Sequence, residues 1–200
     1  MDKQVIIAIS REYGSGGHEI AKIISDHFKL NLYDRSILDE IAKEKDIKIE
    51  YLEKYEEKPK KTYLSRRVGA YTNSIEEIIA EMQFEFIRNK ADSGESFVIV
   101  GRCAETVLKD HPGLISIFVV GDKEAKIERI QRVYNISREE AEIKRKRHDK
   151  SRKHYHNRHS DFKWGDSRNY DLCINSSKLG EEITSKSVIN YIQDRIDNMK

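Results

Sequence analysis

The chain has 200 residues, and its 37 Lys and Arg nearly balance its 35 Asp and Glu, which leaves a net charge of +2. That length fits one α/β domain with room for a smaller inserted lobe. The near-neutral charge argues against a general nucleic-acid coat protein, and the absence of a signal peptide and of a long apolar run predicts a cytoplasmic protein without membrane association.

The first predicted elements are a strand, a glycine-rich turn and a helix. The apolar run Val5–Ile9 predicts a strand buried on both faces, and apolar residues at helical spacing from about His18 predict a helix. Between them Gly14, Gly16 and Gly17 allow positive φ or a close approach of ligand to backbone. This order directs free N–H groups and a helix dipole at an anion, usually phosphate. The alternative is a tight turn whose glycines serve packing alone.

The turn departs from the P-loop pattern G-x-x-x-x-G-K-[ST], in which the Lys binds the β/γ-phosphates and the Ser/Thr binds Mg²⁺. If Gly16 is the second glycine, Gly17 stands at the Lys position and His18 at the Ser/Thr position, while Arg11 replaces the first glycine. Arg11, Ser15 and the loop amides remain as anion donors, because Arg suits bidentate phosphate contacts.

The next stretch alternates between helices and a short strand. Residues 30–33 predict a strand with Asp34 at its carboxyl end, where open sheets place ligand-binding residues. Residues 36–44 and 74–90 predict helices, and Arg66 and Arg67 precede the second. The inward face of the second helix is predicted to carry five apolar residues: Ile75, Ile78, Ile79, Met82 and Phe86.

An arginine directly follows the next apolar strand. Residues 97–100 predict a buried strand that stops at Gly101 and Arg102. An Arg at the end of such a strand is not a packing residue, so Arg102 is a candidate anion ligand rather than a surface ion-pair partner. Residues 104–109 predict a helix and residues 114–120 another buried strand, followed by a helix from about Lys123.

The late part of the chain is dominated by a basic helix. Ser137 and Glu140 form a predicted capping box, and the helix that follows carries four arginines: Arg145, Arg147, Arg152 and Arg158. A last strand at 170–174 and a closing helix at 181–198 complete a doubly wound parallel sheet. Cys103 and Cys173 are expected to be reduced, buried thiols near strand ends.

The sequence resembles the cytidylate kinase-like proteins of bacteria, a branch of the P-loop nucleoside monophosphate kinases. Four stretches carry the resemblance: IAISREYGSGGHEIA (7–21), NLYDRSIL (31–38), VIVGRCA (98–104), and DKSRKHY through WGDSRNYDLCINSSKLG (149–180). The resemblance implies one P-loop kinase domain: a parallel core sheet flanked by helices (1–35, 96–135, 169–200), a helical monophosphate-binding lobe (about 36–95) and a lid (about 136–168).

The resemblance also implies the chemistry: transfer of the γ-phosphoryl group of ATP, with Mg²⁺, to CMP or dCMP. It assigns catalytic roles to Arg102, Arg145, Arg147 and Arg152, and Arg11 is added to these candidates because of its place in the loop. The implied cofactor-binding residues are Gly14, Ser15, Gly16, Gly17, His18 and Glu19. The implied substrate-binding residues are Asp34, Arg66, Arg67 and Arg102, and Asp34 and Asp149 are candidates for polar or Mg²⁺-linked roles.

The missing Lys leaves other functions open. Arg11 is a hypothetical replacement for it, because it lies in the same loop. Without such a replacement, the protein would bind nucleotide without transferring phosphate, as a regulatory protein. A third interpretation, in which the basic lid binds RNA or another phosphorylated partner, is disfavoured by the small net charge. The residues do not specify the base of the acceptor or the oligomeric state.

Overall fold

The structure is a computed structural model that describes residues 3–34, 36–45, 48–50, 67–68, 71–72 and 75–199. The strands within these ranges are β1 (Ile6–Arg11), β2 (Asn31–Tyr33), β3 (Arg67–Val68), β4 (Tyr71–Thr72), β5 (Phe97–Val100), β6 (Leu114–Val120) and β7 (Leu172–Asn175). The helices there are α1 (Gly17–Phe28), α2 (Ile37–Glu44), α3 (Ile75–Asp92), α4 (Ala104–Val107), α5 (Lys123–Tyr134), α6 (Arg138–His159) and α7 (Gly180–Asp197).

Five strands form one parallel sheet in the order β2-β5-β1-β6-β7. The short strands β3 and β4 pair with each other in an antiparallel hairpin. Because the five long strands are parallel, their carboxyl ends meet at one edge of the sheet. In open α/β sheets the ligand site lies in the crevice outside that edge.

The central strand β1 contributes side chains to both faces of the sheet. Ile6 and Ala8 pack on one face with residues of α2 and α3, whereas Ile7 and Ile9 pack on the other with residues of α1 and α7. This alternation explains why the strand reads as a continuous apolar run, since both faces of a parallel sheet are covered. The prediction of a parallel sheet flanked by helices is confirmed.

Two packing predictions are wrong. Ile78 is exposed, because the buried stripe of α3 runs through Ile79, Gln83 and Phe86, and Ile78 lies off that stripe. Cys173 is also exposed, because β7 is an edge strand covered less completely than the strands beside it. Cys103 is buried and is a free thiol, as predicted.

The basic helix α6 begins as the sequence predicts. The Ser137 hydroxyl accepts a hydrogen bond from the Glu140 N–H at 3.2 Å, and the Glu140 carboxylate accepts one from the Ser137 N–H at 2.9 Å. This capping box fixes where α6 starts and therefore which of its residues face the sheet edge. Among the described residues, none of the helices is long and apolar enough to cross a membrane.

Candidate active site

A cleft of about 460 Å³ lies at the carboxyl edge of the sheet. It is bounded by the loop between β1 and α1, by the ends of β2 and β5, and by residues of α5 and α6. Hereafter the glycine loop denotes residues 12–16, and the cleft denotes this cavity. The sheet topology alone brings these segments together, because β1 lies between β5 and β6.

The glycine loop presents the start of a helix to the cleft. Gly14 and Gly16 have φ of +85° and +76°, a conformation that side chains rarely adopt. Gly16 is the N-cap of α1, and no side chain caps the first turn. The first amides of α1 therefore lack intrahelical acceptors and can donate to a phosphate.

A buried ion pair holds the glycine loop against α5. Lys126 Nζ lies 2.6 Å from Glu12 Oε2, and the side chain of Lys126 is only 5% exposed. Glu12 Oε2 also accepts a hydrogen bond from the Gly121 N–H at 3.1 Å. The loop is thus fixed to the end of β6, which gives its amides a defined direction before a ligand binds.

The end of β5 adopts an unusual backbone conformation. Gly101, Arg102 and Cys103 have consecutive φ values of +80°, +58° and +53°. Left-handed conformations of residues other than Gly cost of order 1 kcal/mol each and cluster at functional sites. Here the turn brings the largely buried Arg102 to the cleft wall, on the strand adjacent to the one that ends in Arg11.

The middle of α6 is docked onto the glycine loop. Asp149 Oδ1 accepts a hydrogen bond from the Tyr13 N–H at 2.7 Å, and Arg152 Nη1 donates to the Arg11 carbonyl at 3.1 Å. The ring of His148 stacks on Tyr13 with 4.2 Å between centroids. Burial raises the pKa of Asp149 above its ordinary value. In this arrangement α6 forms one wall of the cleft, and its Asp149 carboxylate accepts a hydrogen bond from one glycine-loop amide.

The carboxyl half of α6 is anchored by a buried polar cluster. His156 Nε2 lies 2.8 Å from Glu105 Oε1, and Ser10 Oγ donates to Glu105 Oε2 at 3.1 Å. Both side chains of the His156–Glu105 pair are at most 6% exposed. Further along, Arg158 pairs with Glu77 of α3. These contacts tie the predicted lid to the core and to the predicted monophosphate lobe.

Several of the predicted site residues line the cleft: Arg11, Gly14, Gly16, Gly17, His18, Glu19, Asp34, Arg102 and Arg152. His18 Nδ1 lies 3.6 Å from Asp34 Oδ2, which connects the start of α1 with the end of β2. Arg66 lies outside the described residues, and of Arg67 the structure describes only the strand to which it belongs.

Three predicted residues do not line the cleft. Ser15 is buried in the loop, where its hydroxyl donates to the Glu12 carbonyl at 2.9 Å. Arg145 pairs with Asp149 at 3.3 Å behind the cleft wall, and Arg147 is exposed. The reason is the phase of α6, on which the cleft-facing positions 144, 148 and 152 recur every four residues.

The cleft residues that the sequence analysis missed include Tyr13, Arg129, Lys144 and His148. The capping box at Ser137 predicts where α6 starts. Only the position of Arg152 in the cleft then shows which face of α6 carries the other cleft residues. Arg129 pairs with Glu19 of α1 at 3.0 Å and with Glu181 of α7. Both partners lie more than 50 residues from Arg129 along the chain. No local sequence pattern predicts these contacts.

The cleft is compatible with Mg²⁺ held mainly by a nucleotide. Among the described residues there is no cluster of three or more His, Cys, Asp or Glu that could hold a metal ion. Mg²⁺ needs no such cluster, because it usually keeps several waters and binds substrate phosphates with one or two carboxylates. The Asp34 carboxylate, at the end of β2, is a cleft residue that fits this role.

Comparison with known proteins gives a consistent relationship over most of the chain. The model of the cytidylate kinase-like family matches residues 6–178. A cytidylate kinase of Pyrococcus horikoshii is 28% identical over 200 residues, which cover 98% of this chain and 90% of that protein.

Solved structures show the same fold. An uncharacterized protein from Eubacterium ventriosum is 40% identical and superposes with a TM-score of 0.75 over 95% of this chain and 99% of its own. Shikimate kinase from Aquifex aeolicus is 12% identical, with a TM-score of 0.53 over 97% of this chain and 99% of its own. A gluconokinase from Sinorhizobium meliloti is 10% identical, with a TM-score of 0.54 over 97% and 94%.

Proposed function

Because this chain belongs to the cytidylate kinase-like family, we propose that it transfers the γ-phosphoryl group of ATP to a nucleoside monophosphate, CMP or dCMP. One observation carries the proposal: Arg11 and Arg102, at the ends of adjacent parallel strands, share one cleft with the start of α1. Phosphoryl transfer asks a protein mainly for positioning and for positive charge around the transferred oxygens.

The donor phosphates would bind at the glycine loop. The uncapped first turn of α1 supplies N–H donors, and the helix dipole adds positive potential at the same point. The Asp34 carboxylate would help to hold Mg²⁺, which would supply positive charge beside the donor phosphates. The ion pair between Lys126 and Glu12 keeps the loop in place without occupying those donors.

The acceptor phosphate would bind to Arg102. Its guanidinium presents paired N–H groups that match phosphate oxygens, and its charge persists at any physiological pH. The left-handed turn at Gly101–Cys103 fixes the direction in which Arg102 leaves the backbone. The acceptor would therefore meet the donor across the cleft between β1 and β5. We propose that this reaction takes place in the cytoplasm, where ATP and nucleoside monophosphates are available.

The predicted lid would add positive charge around the phosphates and exclude water from the cleft. Arg152 and Lys144 face the cleft from α6, and Arg152 also lies over the ring of Tyr13 at 5.3 Å. Closing this helix over the phosphates would protect the reactive group from hydrolysis. The hydrogen bonds and ion pairs along α6 would hold the helix in this closed position.

A coupled assay that detects ADP would test the proposal. Purified protein is given ATP, Mg²⁺ and each of CMP, dCMP, UMP, AMP and GMP in turn. We expect turnover with CMP or dCMP, and a loss of at least a hundredfold in kcat/KM in Arg152→Ala. Lys153→Ala removes an exposed charge from the next position of the same helix and should stay near wild type. Equal rates in both variants would exclude the lid role.

The second candidate function is nucleotide binding without transfer. Gly17 at the position of the P-loop Lys favours it, because that Lys normally contacts the transferred phosphate. This function predicts ATP binding by calorimetry, no ADP with any acceptor, and no effect of Arg102→Ala on ATP affinity. ADP production that depends on an added monophosphate would exclude it.

A further inference from the structure

We infer that Arg11 supplies, from the end of β1, the positive charge that a P-loop Lys supplies from the start of the helix, and that Gly17 is required for this. The inference rests on the proposed function, because it concerns how the same cleft binds the donor phosphates. It assigns Gly17 a purpose: the residue makes room for a relocated cation. The sequence alone does not show whether Gly17 makes room for Arg11 or marks a loop that no longer supports phosphate transfer.

The conformation of Gly17 does not require glycine. Gly17 is the first residue of α1 and has no positive φ, unlike Gly14 and Gly16. A Cβ added to Gly17 would lie 2.6 Å from Cβ and 3.0 Å from Cγ of Arg11. Those atoms are the base of the arginine side chain, which cannot swing away as its far end could. Arg11 and any larger residue at position 17 are therefore mutually exclusive in this arrangement.

The far end of the Arg11 side chain lies at the end of β5. A Cβ added to Gly101 would lie 2.2 Å from Nη1 of Arg11. The side chain thus passes over Gly17 at its base and reaches the Gly101 backbone with its guanidinium. It spans the cleft floor from the glycine loop to the strand that presents Arg102.

This path places the Arg11 side chain in the space beside the residue where a lysine would begin. A guanidinium remains charged at all physiological pH values and contacts phosphate with two N–H groups at once. The backbone of Arg11 is also fixed, since its carbonyl accepts a hydrogen bond from Arg152 at 3.1 Å. The guanidinium of Arg11, at the end of β1, thus takes the place of a lysine ammonium at the start of α1.

A double-mutant cycle tests the inference through ATP binding. The proteins are wild type, Arg11→Ala, Arg11→Gly, Gly17→Ala, Gly17→Lys and the combinations of Arg11→Gly with each Gly17 substitution, because glycine at position 11 removes both clashing atoms. Calorimetry with Mg-ATP, and with inorganic triphosphate as a probe without a base, gives each Kd. Thermal unfolding reports whether each variant is folded.

We expect Arg11→Ala to weaken both ligands at least tenfold. Gly17→Ala should weaken them in wild type but have no effect once Arg11 is Gly, because Cβ and Cγ of Arg11 are then both absent. Arg11→Gly/Gly17→Lys should bind more tightly than Arg11→Gly, since the lysine restores a cation. The inference is overturned if Arg11→Ala binds as wild type does, or if Gly17→Ala has the same effect in both backgrounds.

The binding readout separates this inference from the proposed function. If wild type binds Mg-ATP but transfers phosphate to no monophosphate, the proposed function fails while the cycle still decides the role of Arg11. If wild type transfers phosphate and Arg11→Ala retains both kcat and ATP affinity, the inference fails and the function stands. Wild-type protein that binds neither ATP nor triphosphate would overturn both.

Discussion

The hydrogen bond between the lid and the glycine loop leads to a prediction about Asp149→Asn. In the structure, the Tyr13 N–H donates to the Asp149 carboxylate at 2.7 Å. A phosphate oxygen that used this N–H would have to displace the carboxylate, because both acceptors need the same position. If the donor phosphates bind this N–H as proposed, Asp149 would compete with them, and Asp149→Asn should weaken that competition while keeping the shape of the side chain.

The size of the effect follows from the kind of hydrogen bond. A bond to a charged acceptor contributes about 1.5–3 kcal/mol and a neutral one about 0.5–1.5 kcal/mol, so the substitution removes roughly 1–1.5 kcal/mol of competition. Since 1.4 kcal/mol corresponds to a factor of ten, Asp149→Asn should bind ATP about five- to tenfold more tightly than wild type. Removing a negative charge from beside the glycine loop acts in the same direction.

Calorimetry with ATP, with and without Mg²⁺, measures the change. Asp161→Asn is the matched control, because Asp161 is an exposed carboxylate that follows α6 outside the cleft. Unchanged ATP affinity in Asp149→Asn would refute the competition. Weaker binding that appears only with Mg²⁺ would show instead that Asp149 holds the metal, the other role that the family resemblance allows.

The same substitution has a predicted effect on stability. Burial raises the pKa of Asp149, so the folded state holds the proton more tightly than the unfolded state. Stability from this group is present at low pH and lost as the pH rises through the raised pKa. At pH 7, Asp149→Asn should therefore unfold at the same or a higher temperature than wild type. A clear drop in Tm would contradict the argument.

Three further predictions concern other contacts of α6. Burial, with smaller contributions from the charges of Arg158 and His154, lowers the pKa of His159 to about 4, so stability in urea should fall as the pH drops from 6.5 towards 4, and less so in His159→Phe. Glu105→Ala leaves buried partners unsatisfied and should lower the unfolding free energy by about 1–3 kcal/mol, whereas Glu124→Ala, which removes an exposed pair with Arg138, should lower it by much less. Arg147→Ala should leave kcat/KM near wild type, since Arg147 is exposed, whereas the family resemblance taken alone predicts a loss. A pH-independent stability, equal losses in the two Glu variants, or a large loss of activity in Arg147→Ala would each contradict the corresponding argument.

The sheet and its flanking helices were predictable because their signals are local. Apolar runs such as Val5–Ile9 predict strands buried on both faces, and Ser137 with Glu140 predicts the start of α6. The burial of single residues was less predictable. Ile78 has the same apolar character as Ile79, but one lies on the buried stripe of α3 and the other does not. Cys173 is exposed because of where β7 lies in the strand order, which no local pattern contains.

The residues of the candidate site likewise divide into those that local sequence signals predict and those that depend on packing in three dimensions. Positions at strand ends, such as Arg11, Asp34 and Arg102, were identified because parallel strands end at one edge of the sheet. The sequence could not show that Arg152 lines the cleft whereas Arg145 and Arg147 do not, since this depends on the helical phase of α6 relative to the core. The contact between Arg11 and Gly17 could not be predicted either, because side-chain direction at the end of β1 follows from packing in three dimensions.

The central claim is that this cleft catalyses phosphoryl transfer without a P-loop Lys. The measurement that tests it most directly is ADP formation from Mg-ATP by wild type and Arg11→Ala, with CMP or dCMP as acceptor and with no acceptor as the blank. We predict acceptor-dependent ADP formation by wild type and a loss of at least a hundredfold in Arg11→Ala. Wild-type protein that forms no ADP with any monophosphate would contradict the central claim, and a fully active Arg11→Ala variant would contradict the role given to Arg11.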